Sequence, residues 1–191
     1  MTDRRGMSNQ RGREAAFELL YATHHRAILA YCARRCRRWD AWDAAAEVFV
    51  IAWRRFEDIP IEDARAWLFG VSYRVLANQR RSAGRRARLL EKASHDRAWA
   101  PLPDEQMLRN EEDREVIVAL SRLSRRDQEI VQLAMWEELS ASDIATVLGI
   151  SRAAVDQRFT RAKKRLARQL EGDRLFARSA TQAVAKEGGD I

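Results

Sequence analysis

The most constraining feature of this chain is a helix-start device that occurs twice within Leu139-Ser140-Ala141-Ser142-Asp143-Ile144-Ala145-Thr146-Val147-Leu148-Gly149-Ile150-Ser151. Ser140 can accept from the free N–H groups of a helix start, with Asp143 at its third position and Leu139 stapling onto Ile144. Gly149 suits the left-handed backbone that ends such a helix. Ser151 then caps again, with Ile150 stapling onto Val155. Two stapled helices joined by a glycine turn make a helix-turn-helix.

The second helix divides cleanly by face. At 100° per residue, Val155, Phe159, Ala162 and Leu166 fall within roughly 40° of one line and form a narrow buried stripe. Opposite lie Ala153, Gln157, Thr160, Arg161 and Lys164, with Arg152 and Asp156 on one flank and Arg158 on the other. Short donors and acceptors near a helix N-terminus reach base edges, while cations hold phosphates. Gln157 and Arg161 are the candidates for base edges; Arg158, Lys163 and Lys164 are the candidate phosphate anchors. The competing reading is a helical hairpin with a solvated basic face. Two preceding helices, 114–123 and 125–136, are expected to support the motif. They bring Val116, Leu120, Leu123, Ile130, Leu133 and Ala134 as core, with Ser124 and Asp127 as a further cap.

Charge gives an independent pointer. The chain of 191 residues carries 35 Lys and Arg against 28 Asp and Glu, a net +7, so its first expected partner is an anion. The excess is local: residues 71–100 hold eight basic and two acidic residues, and residues 151–170 hold seven and one. Between them, residues 103–115 hold two basic and six acidic residues. With 3 Pro and 8 Gly the composition disfavours turn-dense β folds and favours helices. No run of eighteen apolar residues occurs and the start lacks an apolar signal core, so no membrane insertion and a cytoplasmic location are expected. The 2 cysteines cannot build a disulfide framework.

The N-terminal half reads as three helices. The first, 14–38, has a seam through Phe17, Leu20, Tyr21, Ile28 and Tyr31, after a frayed 1–13. His24, His25, Cys32 and Cys36 share this one helix and could not wrap a tetrahedral ion, so buried small thiols and a satisfied histidine are expected there and no metal. The second, 43–56, turns Ala45, Phe49, Ala52 and Phe56 inward. Its other face presents Asp43, Glu47, Val50, Ile51 and Arg54. Apolar groups among carboxylates there either dock a protein partner or are covered by a third element of the same domain.

The third helix, 64–86, buries Ala64, Leu68, Val71 and Val75 and turns out Phe69, Tyr73, Ala77 and Arg80, flanked by Arg65, Arg74 and Arg81. Rings among guanidiniums suit unpaired bases, although Phe69 and Tyr73 could equally pack on the first helix.

These residues resemble a known family. Asp40 to Arg54 is similar to the second conserved segment of bacterial RNA polymerase sigma factors of the extracytoplasmic-function group. Ala64 to Val71 with Asn78-Gln79-Arg80-Arg81 resembles their promoter-melting and minus-ten segment, and Leu139 to Leu166 resembles their minus-thirty-five helix-turn-helix. The resemblance implies an all-α protein of two small helical domains. These are a region-2-like domain over 14–88 and a region-4-like domain over 111–170, joined by a flexible linker over 89–110 and followed by a tail over 171–191.

The resemblance also implies what the parts do. The factor binds core RNA polymerase, directs it to promoters and aids strand opening, without catalysis, cofactor or small-molecule substrate, and an anti-sigma factor keeps it silent. Asp43, Glu47, Val50, Ile51 and Arg54 would meet polymerase. Arg65, Tyr73, Arg74, Asn78, Arg80 and Arg81, with the Phe56–Asp63 loop, would meet minus-ten DNA. Arg152, Ala153, Asp156, Gln157, Arg158, Thr160, Arg161 and Lys164 would meet the minus-thirty-five element. Three departures stand out: Ala46 replaces a common Gln, Glu138 a common Gly, and Asp156 a basic or small polar residue. A free-standing helix-turn-helix regulator would explain the last helices but gives the second and third no role.

Overall fold

The computed structural model describes residues 3–36, 38–60, 62–90 and 111–187, with side chains over 10–36, 40–60, 62–85 and 115–171. Among these residues there are seven α-helices, one 3-10 turn and no strand. The helices are α1 (Asp3–Ala33), α2 (Arg38–Arg54), α3 (Ala64–Leu90), α4 (Glu111–Ser121), α5 (Arg125–Met135), α6 (Ala141–Leu148) and α7 (Arg152–Glu187). The expected linker falls at 91–110 outside the described residues, apart from its first two positions, which belong to α3. By its contacts the chain divides into two compact units: α1, α2, α3 and α6 in one, and α4, α5 and α7 in the other.

In the first unit α1, α2 and α3 all pack on one another. Small residues at helical spacing let the axes approach: Ala41, Ala44, Ala45, Val48 and Ala52 of α2 are buried. They meet Ile28, Tyr31 and Cys32 of α1 and Leu68, Phe69, Val75 and Leu76 of α3 in one core. The Tyr31 ring stands edge-on to Phe69 at 5.2 Å and 71°. Phe69 is therefore core: of the two readings left open for it, packing on the first helix holds, because Tyr31 claims its ring. Buried Ser72 satisfies its hydroxyl by donating to the Leu68 carbonyl at 2.8 Å.

Helix boundaries shift where distant residues intervene. α1 starts at Asp3, well before the expected position 14. Arg13 ties this stretch down, donating to the Trp53 carbonyl at 2.6 Å and lying 4.7 Å over the Trp53 ring. α1 stops at Ala33, and the amides of Arg35 and Cys36 both turn back to the Cys32 carbonyl. α2 begins five residues earlier than expected, since Ala41 extends its buried stripe. Phe56 lies beyond α2, in the 3-10 turn, with its ring 6.0 Å from Phe17.

In the second unit Leu120, Leu123, Val131 and Ala162 form a core with Phe159 and Leu166 packed against it. Ile117, not Val116, faces inward on α4, where Val116 is exposed. Ser124 caps α5 as expected, its hydroxyl accepting from the Asp127 amide at 3.2 Å. α5 ends at Met135, and Glu138 then adopts φ 51°, the left-handed region usually left to glycine. Gly149 takes φ 63° after α6, and the Ile150 amide closes onto the Ala145 carbonyl at 3.1 Å, as the glycine-turn expectation requires. α7 opens on Ser151, whose hydroxyl accepts from the Ala154 amide at 3.2 Å. It then runs unbroken to Glu187, through the stretch expected to be a marginal tail.

Candidate nucleic-acid and partner interfaces

On α7 the sequence-derived faces hold. Val155 and Ala162 are buried, while Arg152, Ala153, Asp156, Gln157, Thr160, Arg161 and Lys164 are all exposed. Asp156 does not stand alone as a repulsive carboxylate, since Arg152 lies 3.8 Å from it one turn away. The Arg161 Nε reaches back to the Gln157 carbonyl at 3.4 Å, which keeps these two candidates for base edges adjacent. Lys163 lies 5.4 Å over the Phe159 ring. Arg158 differs from the others: it is half-buried and bonded to Asp127 of α5 at 3.0 Å.

α3 lays out a second polar face. Arg65, Arg74, Asn78, Arg80 and Arg81 are exposed, and Tyr73 is half-buried. By spacing, Arg74, Asn78, Arg81 and Arg85 share one stripe, with Tyr73 and Arg80 on its flank. Arg81 donates to the Asn78 side-chain carbonyl and Arg85 to the Ser82 hydroxyl, so the stripe is ordered by its own short bonds. The loop before α3 is built on Arg55, which pairs with Asp58 at 2.9 Å and lies 5.9 Å over the Trp67 ring. Ile59 is buried beneath it, and the Asp63 carbonyl accepts the Trp67 amide at the start of α3.

The α2 face is open. Asp43, Glu47, Val50 and Arg54 are exposed and Ile51 is half-buried, so among the described residues no third element of this unit covers them. The apolar part is larger than the sequence suggests. Trp42 is 55% exposed and Tyr21 41%. Tyr21, His25 and Phe49 form a ring cluster, with Tyr21 4.6 Å from His25 and 4.7 Å from Phe49, and Trp42 adds to it 6.2 Å from His25. The spacing of Trp42 from Phe49 and Val50 carried the signal, but Trp42 falls in the stretch expected to be a break. Exposed rings beside carboxylates form the kind of surface that a protein partner desolvates.

The four groups weighed as a metal set lie apart in role. Cys32 is buried and Cys36 donates its Sγ proton to the Cys32 carbonyl at 3.1 Å. Burial first, and then Asp40, push the Cys36 thiol up to about 11 against the opposing pull of Arg80. Burial, then the Arg65 guanidinium, hold His24 below its ordinary value. Among the described residues no three His, Cys, Asp or Glu side chains are grouped to hold a metal ion, and no helix is long and apolar enough to cross a membrane.

Helical units with two cationic faces, one of them on a capped helix following a glycine turn, are the layout of a DNA-binding protein. The family model described as Sigma-70 region 2 matches residues 20–86, and that described as Sigma-70, region 4, matches residues 113–166. The chain is 31% identical over 173 residues to the RNA polymerase sigma factor CnrH of Cupriavidus metallidurans, covering 85% of this chain and 90% of that protein. It is also 31% identical to the ECF RNA polymerase sigma factor SigL of Mycobacterium tuberculosis, covering 80% and 87%. In fold it is similar to the sigma factor RpoE of Bartonella quintana solved with the anti-sigma factor NepR. There the TM-score is 0.65 at 22% identity, covering 82% of this chain and 97% of the other. The chain thus belongs to the extracytoplasmic-function sigma factors of RNA polymerase, which are factors for promoter-directed transcription initiation. The region 2 match leaves a free-standing regulator without support.

Proposed function

We propose that this factor seats on core RNA polymerase through the open face of α2 and reads promoter DNA with α3 and α7. The observation that carries this reading is the uncovered set Trp42, Tyr21 and Val50 beside Asp43 and Glu47. Ile51 and Arg54 border it. Arg65, Tyr73, Arg74, Asn78, Arg80 and Arg81, with the 56–63 loop, take the unpaired minus-ten strand: Tyr73 offers a ring for stacking and the guanidiniums track the backbone. Arg152, Ala153, Asp156, Gln157, Thr160, Arg161 and Lys164 lie toward the minus-thirty-five element in duplex form, with Gln157 and Arg161 at base edges. The functional division runs over 14–88 and 111–170, with a linker over 89–110 and a tail over 171–191.

The role is non-enzymatic and cytoplasmic, where the polymerase is. An anti-sigma factor competing for the same apolar face is the natural silencer, because one surface cannot seat two partners. The Bartonella sigma factor was solved with the anti-sigma factor NepR.

The docking half is tested by Val50→Glu. Val50 is 47% exposed, so the fold tolerates the change, while a buried unpaired carboxylate in the complex costs several kcal/mol, roughly 2–5. The variant is expected to melt like the parent and to lose co-purification with core polymerase. Retained co-purification would remove α2 from the interface.

A further inference from the structure

The grip on α7 is narrow. Val155 and Ala162 are buried on its inner face, and Phe159 and Leu166 are half-buried. A stripe spanning roughly 60° of helix surface fixes the depth of a helix better than its roll about its own axis.

A second constraint sits off the stripe. Arg158, about 60° round from Val155, donates through Nη1 to Oδ1 of Asp127 at 3.0 Å, linking α7 to the first turn of α5. The other carboxylate oxygen, Oδ2, accepts the Ser124 hydroxyl at 2.6 Å, and the same hydroxyl oxygen accepts the Asp127 amide. Both carboxylate oxygens are thus engaged at the positive end of α5. Solvent reaches little of this group: the Asp127 side chain is 21% exposed and that of Arg158 37%, against 59% and 71% for the Asp156–Arg152 pair.

We propose that Arg158 is a positioning residue, which through Asp127 and Ser124 sets the roll of α7 and so aims Gln157 and Arg161. This departs from its expected role as a phosphate anchor, and it rests on the reading of α7 as the minus-thirty-five helix. To reach a phosphate, Arg158 would have to abandon a partly desolvated carboxylate, whereas Arg161, Lys164 and Arg168 already stand exposed on the outer face. Gln157 is its chain neighbour and Arg161 lies one turn on, so any roll of the helix displaces both.

The test uses holoenzyme reconstituted from core polymerase and this chain. Its binding to a promoter with an intact minus-thirty-five element, and to one with that element scrambled, is measured across a potassium chloride series. Arg158→Gln and Asp127→Asn are each expected to lose preference for the intact element by about fivefold, and the double variant to lose no more than either. Arg158→Gln is expected to leave the slope of log affinity against log salt unchanged. The proposal is overturned if Asp127→Asn binds as well as or better than the parent, if single losses add in the double variant, or if Arg158→Gln shrinks the slope by about one. Should Arg158→Gln melt early, Arg158→Lys replaces it; partial loss at constant slope supports the clasp and full retention overturns it. Arg161→Ala run in parallel separates the two layers. If it loses preference, contrary Arg158 results overturn the clasp alone; if it does not, the reading of α7 falls and the clasp with it.

Discussion

The guanidinium of Arg13 donates to the main-chain carbonyl of Trp53 at 2.6 Å, forty residues away, so the start of α1 closes the end of α2. That carbonyl belongs to the last turn of α2, where helix acceptors lack partners within the helix. The same guanidinium lies 4.7 Å over the Trp53 ring and 3.8 Å from the Glu57 carboxylate. Phe17, one turn further along α1, meets Trp53 at 5.1 Å and Phe56 at 6.0 Å. One cation thus braces both the end of α2 and the turn that leads to α3.

Arg13→Ala is expected to lower unfolding stability by about 1–2 kcal/mol, the range for a charged hydrogen bond with a ring contact. Urea denaturation followed by circular dichroism checks this. Arg13→Lys is expected to fall between, since it keeps the charge and loses the planar fork.

Glu138 and Gly149 share a left-handed backbone but not a side-chain cost. Glu138→Gly is expected to raise stability by about 1 kcal/mol, because glycine meets no Cβ clash at φ 51°. Gly149→Ala is expected to lower it by a similar amount, about 1 kcal/mol, at φ 63°. Thermal melts of the two variants should move in opposite directions.

Stability should weaken below about pH 6.5, the ordinary histidine value, on account of His24. Burial and Arg65 lower its folded-state value, so within the window just below pH 6.5 the unfolded chain takes up a proton that the native one refuses. Above that window the contribution is complete; it declines as pH falls toward the folded value and changes no further beneath it. Denaturant midpoints between pH 5 and 8 measure the effect, and His24→Gln should flatten this part of the curve.

Cys36 should resist alkylation. With its thiol pushed up to about 11 and its proton on the Cys32 carbonyl, the reactive thiolate is scarce at neutral pH. Iodoacetamide is expected to label it far more slowly than free cysteine, and denaturant should abolish that protection.

The legible parts of the fold were those written in adjacent residues. Ser124, Ser151 and Gly149 act within four residues of themselves, and each does in the structure what its neighbours imply. Phe69 was ambiguous, because face assignment on α3 depends on where Tyr31 arrives from α1. Arg13 and Arg158 were opaque for the same reason, with partners 40 and 31 residues distant. Val116 shows a subtler limit: with Ile117 beside it, a one-residue phase shift changes which side chain is core. Trp42 was hidden by a misplaced helix start.

Start-site selection is the most direct measure of this chain's role. Bare core RNA polymerase is given a fragmented genomic template with and without this chain, and transcript 5′ ends are mapped. A small set of new start sites that share upstream elements, and that vanish with the Val50→Glu variant, is the predicted result. Identical transcript ends in the two reactions would contradict it.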